Sequence, residues 1–187
     1  MCIRDSGRTG DAFWGFQNHN VMPDIVTMAK GIGNGCPLAA VVTTAEIAQS
    51  LTEAIHFNTF GGNPVSSAQG LATLEVLLEE DFQSHARELG KLLIDGLKKL
   101  ATKYACVGDV RGRGLMVGIE LVEGDDMQPA SELAASVLET CKEMGLIVGK
   151  GGYFGNVLRV KPPLCLTRED IQFMLEVFDA TFAKETK

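Results

Sequence analysis

The stretch DIVTMAKGIGNG, residues 24–35, restricts the local fold more strongly than any other part of the sequence. Its apolar run from Ile25 to Met28 predicts a short strand, and glycines then follow Lys30 at every second position. Glycine in such places indicates backbone that needs positive φ angles or a close approach to another group. A lysine amine buried at the end of a strand costs free energy unless it is paired, neutralised or covalently bonded. The junction therefore predicts that Lys30 takes part in chemistry.

Two different patterns of secondary structure divide the chain. Residues 7–80 are rich in glycine and small residues and predict an α/β unit, whereas residues 81–187 predict a smaller α+β unit. The predicted strands are residues 25–28, 37–44, two segments around a glycine turn within 107–122, 146–149 and 157–160, and the predicted helices are residues 45–55, 64–80, 82–104, 132–144 and 167–182. Asn63 and Pro64 provide an N-cap and a first helical residue for the second of these helices.

The first six residues, MCIRDS, differ in character from the sequence that follows. Their back-translation matches the end of a common transposon-type sequencing adapter. We therefore expect Met1–Ser6 to be a non-native scar, exclude it from fold prediction, and expect native sequence to begin near Gly7. On this interpretation the chain is the C-terminal part of a longer protein, which resequencing of the source clone would test.

The composition argues against several classes of function. A formal charge of −7 lacks the basic footprint of nucleic-acid-binding proteins, and no apolar run approaches the roughly 18 residues of a membrane span. The five cysteines are scattered without a CxxC pair, which indicates reduced thiols and a reducing compartment, the cytoplasm or, in a eukaryote, the mitochondrial matrix. His19, His56 and His85 have no metal-binding spacing, so we expect no metal site.

Other interpretations of the lysine–glycine junction fit the sequence less well. A dinucleotide site requires GxGxxG, whereas Gly31, Gly33 and Gly35 form GxGxG. Glu53 lies about 20 residues beyond, where that motif would place an acid, but it falls in a predicted helix rather than at the end of a strand. A P-loop places its lysine after the glycines, and here the lysine comes first. A surface lysine beside a flexible loop stays open on this segment alone.

Several motifs follow one another in a fixed order. They are GRTG at residues 7–10, FW at 13–14, PDIVTMAKGIGNG at 23–35, HFNTFGGNP at 56–64, VGDVRGRGLMVGIE at 107–120 and VLRVKPPL at 157–164. In order and spacing they resemble the class III (ornithine-type) pyridoxal-phosphate aminotransferases, most closely the alanine–glyoxylate aminotransferase 2 branch. The resemblance extends over residues 7–187. It implies the α/β type I fold of pyridoxal-phosphate enzymes, with residues 7–80 ending the large cofactor-binding domain and residues 81–187 forming the small C-terminal domain.

The resemblance implies roles for three residues. Lys30 matches the lysine that holds pyridoxal 5′-phosphate as a Schiff base and then carries the proton at the substrate Cα. Thr59 matches a threonine that donates to the cofactor phosphate of the other subunit, which implies a homodimer. Arg159 matches an arginine that forks onto the substrate α-carboxylate. From the residues alone, Thr59 also fits a turn hydroxyl and Arg159 a structural salt bridge or an edge-strand position, while Arg111 and Arg113 flank a predicted turn and receive no role.

The implied reaction is transamination between an amino acid and a 2-oxo acid, of the alanine–glyoxylate type, in the full-length protein. The family's pyridinium-pairing acid, phosphate loop and ring-stacking aromatic are expected upstream of Gly7, and Asp5 does not replace that acid. The chain by itself is therefore expected to be inactive. Two alternatives stay open, a phospho-lyase acting on amino-alcohol phosphates and a non-catalytic protein with the same fold. An amino-alcohol phosphate has no α-carboxylate for Arg159, which favours transamination.

Overall fold

The predicted strand–lysine junction lies in a small mixed sheet. The structure, a computed structural model, describes Cys2–Ile3 and residues 7–186. The sheet contains β1 (Cys2–Ile3), β2 (Ile25–Ala29) and β3 (Ala39–Thr43), with β1 parallel and β3 antiparallel to β2. The predictions of strands at residues 25–28 and 37–44 are therefore confirmed. Strand β1 belongs to the segment that was excluded above from fold prediction. The exclusion therefore omitted one strand of this sheet.

The origin of Met1–Ser6 stays a prediction. Residues 1 and 4–6, which include Asp5, lie outside the described residues. The pairing of Cys2 with Thr27 and of Ile3 with Met28 shows only where these two residues run along β2.

Residues 1–83 form the first of two units into which the chain divides, at Gln83 and Ser84. Its 3₁₀ helices are Gly15–His19, Lys30–Gly33 and Ser50–Glu53, and its α-helices are α1 (Ala45–Gln49) and α2 (Pro64–Glu79). Asn63 caps α2, because its Oδ1 accepts the backbone N–H of Ser66 at 2.9 Å, and Pro64 is the first helical residue, as predicted. Helix α1 is shorter than the predicted 45–55, because the chain continues from Ser50 to Glu53 as a 3₁₀ helix. At this junction the Ser50 hydroxyl donates to the Ile47 carbonyl at 2.7 Å.

The core of this first unit is small, and much apolar surface stays uncovered. Val26, Met28 and Ile32 form its buried cluster. The exposed apolar side chains are Val41 and Val42 on β3, and Val65, Leu71, Val76 and Leu78 on α2. A helix that is apolar on all sides is typical of the interior of a larger protein. Helix α2 therefore has apolar faces that the rest of residues 7–83 does not bury.

The second unit, residues 84–187, contains an antiparallel sheet packed against three helices. Its strands are β4 (Val107–Arg113), β5 (Met116–Glu123), β6 (Gln128–Pro129), β7 (Gly149–Gly151) and β8 (Val157–Val160), and its helices are α3 (Phe82–Lys103, which begins in the first unit), α4 (Ser131–Glu143) and α5 (Arg168–Glu185). The order in the sheet is β4–β5–β8–β7, and β6 pairs with β5. Leu93, Ile119, Leu158, Phe178 and Phe182 are fully buried between the sheet and the helices. The prediction of an α/β chain is confirmed.

The predicted glycine turn within residues 107–122 exists, but not at Gly112. Arg111, Gly112 and Arg113 belong to β4, and Arg113 pairs with Met116 across a two-residue turn. Gly112 has φ +159°, which is extended backbone that continues the strand. The chain reverses at Gly114, which has φ +50°. The prediction that Arg111 and Arg113 flank a turn is therefore wrong.

The strand predicted at residues 146–149 lies three residues later, at β7. The apolar residues that predicted it end helix α4 instead. Gly145 has φ +89° and donates to the Lys142 carbonyl at 3.0 Å, while Leu146 donates to the Cys141 carbonyl at 2.8 Å. This is the Schellman arrangement, in which an apolar residue after the glycine packs back onto the helix. Leu146 is accordingly buried, whereas Ile147 is exposed.

Helix α5 confirms the predicted closing helix. Thr167 and Asp170 form a capping box, in which the Thr167 hydroxyl accepts the Asp170 N–H at 3.2 Å and Asp170 Oδ2 accepts the Thr167 N–H at 2.7 Å. Within the described part of the chain, no helix is both long enough and apolar enough to cross a membrane.

Candidate functional site

Lys30 has an unusual backbone conformation. Strand β2 ends at Ala29, which is fully extended, and Lys30 then has φ +62° as the first residue of a 3₁₀ turn. For a residue with a Cβ, the left-handed conformation costs about 1–2 kcal/mol relative to the right-handed one. Such strained residues persist where the surrounding structure imposes them, and they cluster at functional sites. The strain therefore marks Lys30 as a candidate functional residue independently of the glycine pattern.

The side chain of Lys30 is exposed, so the expectation of a buried amine is wrong for this chain. By alternation along β2, Lys30 would continue the buried face of Val26 and Met28. The left-handed turn at Lys30 breaks that alternation and directs the side chain to the surface. Among the described residues, the Lys30 amine has no ion-pair or hydrogen-bond partner.

The loop after Lys30 uses its glycines in two ways. Gly35 has φ +98°, and a Cβ added to Gly33 would lie 3.0 Å from the Leu38 Cβ. One glycine therefore allows a positive φ angle and the other allows a close approach, as the sequence predicts. Asn34, with φ +43°, is a second left-handed residue that the glycine pattern does not reveal.

Thr59 lies in a tight turn just before α2. The Gly61 N–H donates to the Asn58 carbonyl at 3.1 Å, and the Phe60 N–H donates to Asn58 Oδ1 at 3.2 Å. Thr59 is exposed, and its hydroxyl has no hydrogen-bond partner among residues 7–186. The turn therefore presents a hydroxyl that is available to a ligand or to another chain.

Arg159 is exposed on β8, on the face of the sheet opposite to the helices. Leu158 and Val160 face the buried cluster, so Arg159 points away from it. Its neighbours across the sheet are Gly118 on β5 and Gly149 on β7. No carboxylate in the described part of the chain forms an ion pair with Arg159. The alternative of a structural salt bridge therefore has no support here.

Arg111 shows the opposite arrangement on the same face. Its Nη1 donates to Asp109 Oδ2 at 2.7 Å and to Glu120 Oε2 at 2.5 Å. The hydrogen bond that Arg111 donates to Asp109, followed by the one that it donates to Glu120, raises the pKa of Arg111 above its usual value. The Glu120 carboxylate also accepts from Asn156 Nδ2 at 3.3 Å. Arg111 thus has its charge balanced within the sheet, whereas Arg159 does not.

The predicted site residues are divided between the two units of the chain. Lys30 and Thr59 belong to the first unit, and Arg159 belongs to the second. Cys36 lies against Ser66, with Sγ and Oγ 3.3 Å apart, which fits packing at the start of α2. Within residues 7–186, no group of three or more His, Cys, Asp or Glu side chains is placed to hold a metal ion.

Comparisons with known proteins agree on one family. The family described as Aminotransferase class-III matches residues 5–182. Alanine–glyoxylate aminotransferase 2 homolog 2, mitochondrial, of Arabidopsis thaliana is 53% identical over 178 residues, which cover 95% of this chain and 37% of that protein. Alanine–glyoxylate aminotransferase 2, mitochondrial, of Homo sapiens is 50% identical, with 95% of this chain and 36% of that protein covered. This chain thus spans little more than a third of the length of these relatives.

One of the similar solved structures is that of an enzyme with a different activity. A phospholyase from Arthrobacter in complex with phosphoethanolamine superimposes with a TM-score of 0.90 at 43% identity. The match covers 95% of this chain and 42% of that one.

Proposed function

Because the chain belongs to the class III aminotransferase family, we propose that it is the C-terminal part of an enzyme that transfers an amino group from an amino acid to a 2-oxo acid. The names of relatives at 53% and 50% identity support alanine as donor and glyoxylate as acceptor. Residues 7–80 would end the large cofactor-binding domain and residues 81–187 would form the small domain. The division of the chain near Gln83 supports this assignment.

The observation that carries the proposal is the conformation of Lys30. A strained backbone fixes an exposed amine, which has no partner among the described residues, directly after an apolar strand. An amine that forms a covalent bond with an aldehyde needs such a fixed position and no competing partner. Neither property is needed by a lysine whose only task is to keep a surface solvated.

The residues present fit pyridoxal 5′-phosphate. The aldehyde group requires an accessible amine, which Lys30 provides, and the phosphate requires hydrogen-bond donors. The Thr59 hydroxyl is such a donor, and it lies in the turn that leads into the N-terminal end of α2. When bound, this cofactor supplies an electron sink for the electrons of the substrate Cα–H bond.

Each of the three residues then has one task. Lys30 holds the cofactor and moves the proton at the substrate Cα, a contribution of about 10²–10⁴-fold for a positioned general base. Arg159 donates two parallel hydrogen bonds to the substrate α-carboxylate. Thr59 donates to the phosphate held by the partner subunit.

Exposed apolar residues around Thr59 support a homodimer with shared sites. Ile55, Phe57 and Phe60 all lie within four residues of Thr59, and each is at least 80% exposed. Large apolar side chains grouped on a surface are typical of a protein–protein interface. A second subunit that covers them would bring its own phosphate site to Thr59.

The proposed function is tested on the full-length protein with alanine and glyoxylate. We expect Lys30→Ala to abolish pyruvate formation and to remove the cofactor that borohydride traps on the Lys30 peptide. Lys91→Ala is the matched control, because Lys91 is an exposed lysine that pairs with Asp95 on α3. Trapping at Lys91 or at another lysine would contradict the assignment of Lys30. Full activity without any trapped cofactor would contradict the proposed reaction.

A phospho-lyase acting on amino-alcohol phosphates is the second candidate function. The similarity to the Arthrobacter phospholyase supports it. Arg159, whose charge no carboxylate of residues 7–186 balances, favours transamination, since phosphoethanolamine has no α-carboxylate. Release of inorganic phosphate from phosphoethanolamine, without pyruvate formation from alanine, would select the phospho-lyase. If the full-length protein shows neither activity and does not bind the cofactor, the result would select the non-catalytic alternative.

The proposed location is a reducing compartment, the cytoplasm or the mitochondrial matrix. Cys36, Cys106, Cys141 and Cys165 are free thiols, which fits such a compartment. The relatives from Arabidopsis thaliana and Homo sapiens carry the word mitochondrial in their names.

A further inference from the structure

Arg159 lies beside β7, which has only glycines on the face of the sheet that carries the Arg159 side chain. Gly149 is its direct partner on β7, and Gly151 is the next residue on the same face of that strand. β7 is the last strand in the described order of the sheet, so this face of Arg159 borders the sheet edge. The arrangement leaves a shallow, glycine-lined track along β7.

The side chain of Arg159 fills this track. A Cβ added to Gly151 would lie 3.0 Å from Arg159 Cδ and 3.1 Å from Nε. A Cβ added to Gly149 would lie 3.3 Å from Nη2 and 3.5 Å from Nε. Ordinary carbon contacts are about 3.5–4.0 Å, so an alanine at either position would displace the guanidinium by a few tenths of an ångström.

The backbone gives no other reason for glycine at these two positions. Neither Gly149 nor Gly151 has a φ angle in the left-handed region. Both lie in regular pairing with β8, where alanine is conformationally allowed. The space that the glycines leave is therefore used by the Arg159 side chain.

The acidic residue of β5 that lies nearest to Arg159 does not compete for its guanidinium. Glu120 lies on the same face, diagonally across from Arg159, because it pairs with Val157. Arg111 and Asn156 hold its carboxylate. The one acid that β5 places near Arg159 is thus already engaged.

We propose that Gly149 and Gly151 are positioning residues that set the reach and orientation of the Arg159 guanidinium toward a carboxylate-bearing substrate. This inference rests on the proposed role of Arg159 in binding the α-carboxylate. A fork of two parallel hydrogen bonds requires a fixed plane, so a small displacement of the guanidinium weakens it. The glycines act on substrate affinity and not on the chemical step.

The test measures binding of propionate, which has the carboxylate of alanine without its amino group. Calorimetry on the full-length holoenzyme compares the wild type with Gly151→Ala, Gly149→Ala and Arg159→Ala. Gly118→Ala is the matched control, because it adds a methyl group on the other side of Arg159 and its Cβ would meet Val157 Cγ1 at 3.3 Å. The KM and kcat for alanine and the thermal midpoint are measured for each variant.

We expect Gly151→Ala and Gly149→Ala to weaken propionate binding about three- to tenfold and to raise KM by a similar factor, on the scale of one impaired charge-assisted hydrogen bond. The kcat and the thermal midpoint should stay unchanged, and Gly118→Ala should behave as the wild type. Wild-type binding by both glycine variants, with weak binding by Arg159→Ala, would overturn the inference and leave the role of Arg159 intact. Equal weakening by Gly118→Ala would also overturn it. Wild-type binding by Arg159→Ala would refute the proposed role of Arg159 and the inference with it.

Discussion

A mixture of two inactive variants should regain activity if each active site takes residues from two subunits. Lys30→Ala removes the amine, and Thr59→Glu places a carboxylate at the proposed phosphate contact. Thr59 is exposed in the single subunit, and its hydroxyl has no partner in the described part of the chain, so the substitution should change the stability of the subunit's own fold by no more than about 0.5 kcal/mol. The lost charge-assisted hydrogen bond alone should weaken cofactor binding by about 1.5–3 kcal/mol, roughly 10- to 150-fold, and charge repulsion adds to this.

The size of the recovery follows from random assembly. Equal amounts of the two subunits give hybrids in about half of the dimers. Each hybrid has one site with both substitutions and one site with neither, so the mixture should show about a quarter of wild-type activity. The subunits are coexpressed with two different affinity tags, and pyruvate formation from alanine and glyoxylate is measured on the doubly purified hybrid and on the mixture.

The outcome separates shared sites from sites within one subunit. If Lys30 and Thr59 served the same subunit's site, every site in a hybrid would carry one substitution and the mixture would be inactive. Activity no higher than that of the separate variants would therefore refute the sharing of sites. Thr102→Glu, at an exposed threonine near the end of α3, is the control for a new surface charge. It should leave the activity of the wild-type dimer unchanged.

Other measurements test the remaining assignments. Arg159→Lys keeps the charge but loses the fork, so kcat/KM for alanine in the full-length protein should fall by an amount equivalent to about 1–3 kcal/mol, and an unchanged value would count against the role of Arg159. Gly90→Ala should destabilise the second unit by about 1–2 kcal/mol or more in a denaturation experiment, because its Cβ would lie 2.2 Å from a backbone carbonyl oxygen of the β4–β5 turn. Gly96→Ala, whose nearest neighbours would be the movable end of a leucine on α5, should be nearly neutral, and equal effects of the two variants would contradict this packing argument. Limited proteolysis of this chain expressed alone should leave a protected piece that begins near residues 81–106, with cuts concentrated in residues 30–60. A protected N-terminal half, or transaminase activity of this chain with added cofactor, would show that this expectation is wrong.

Local signals in the sequence predicted the secondary structure well. The N-cap at Asn63 and the capping box at Thr167 depend only on residues within one helical turn, so the sequence contains all that decides them. The same holds for β2, whose apolar run stops at the residue before Lys30. The error at residues 146–149 arose because a glycine followed by an apolar residue also ends a helix, and a short apolar run fits either structure.

The sequence did not predict the features of the candidate site that depend on tertiary structure. The left-handed conformation of Lys30 is not expected for a residue with a Cβ, and the exposure of its side chain follows from it. The relation between Arg159 and the glycines of β7 depends on the register of two strands. A run such as GKGG predicts flexibility, and only the pairing of Gly149 with Arg159 shows that the glycines make room for a side chain.

Helix α2 adjoins both of the segments that contain the proposed cofactor residues, Lys30 and Thr59. Its N-terminal end follows the turn that contains Thr59, and its middle packs against the loop that begins at Lys30. At Gly70 a Cβ would lie 2.3 Å from Leu38 Cδ2 and 3.6 Å from the Ile32 carbonyl oxygen, so glycine allows this helix to approach the loop closely. The helix therefore fixes the strained turn at Lys30 by packing. Because its other faces are apolar and exposed, the geometry of both residues depends on whatever covers α2 in the assembled protein.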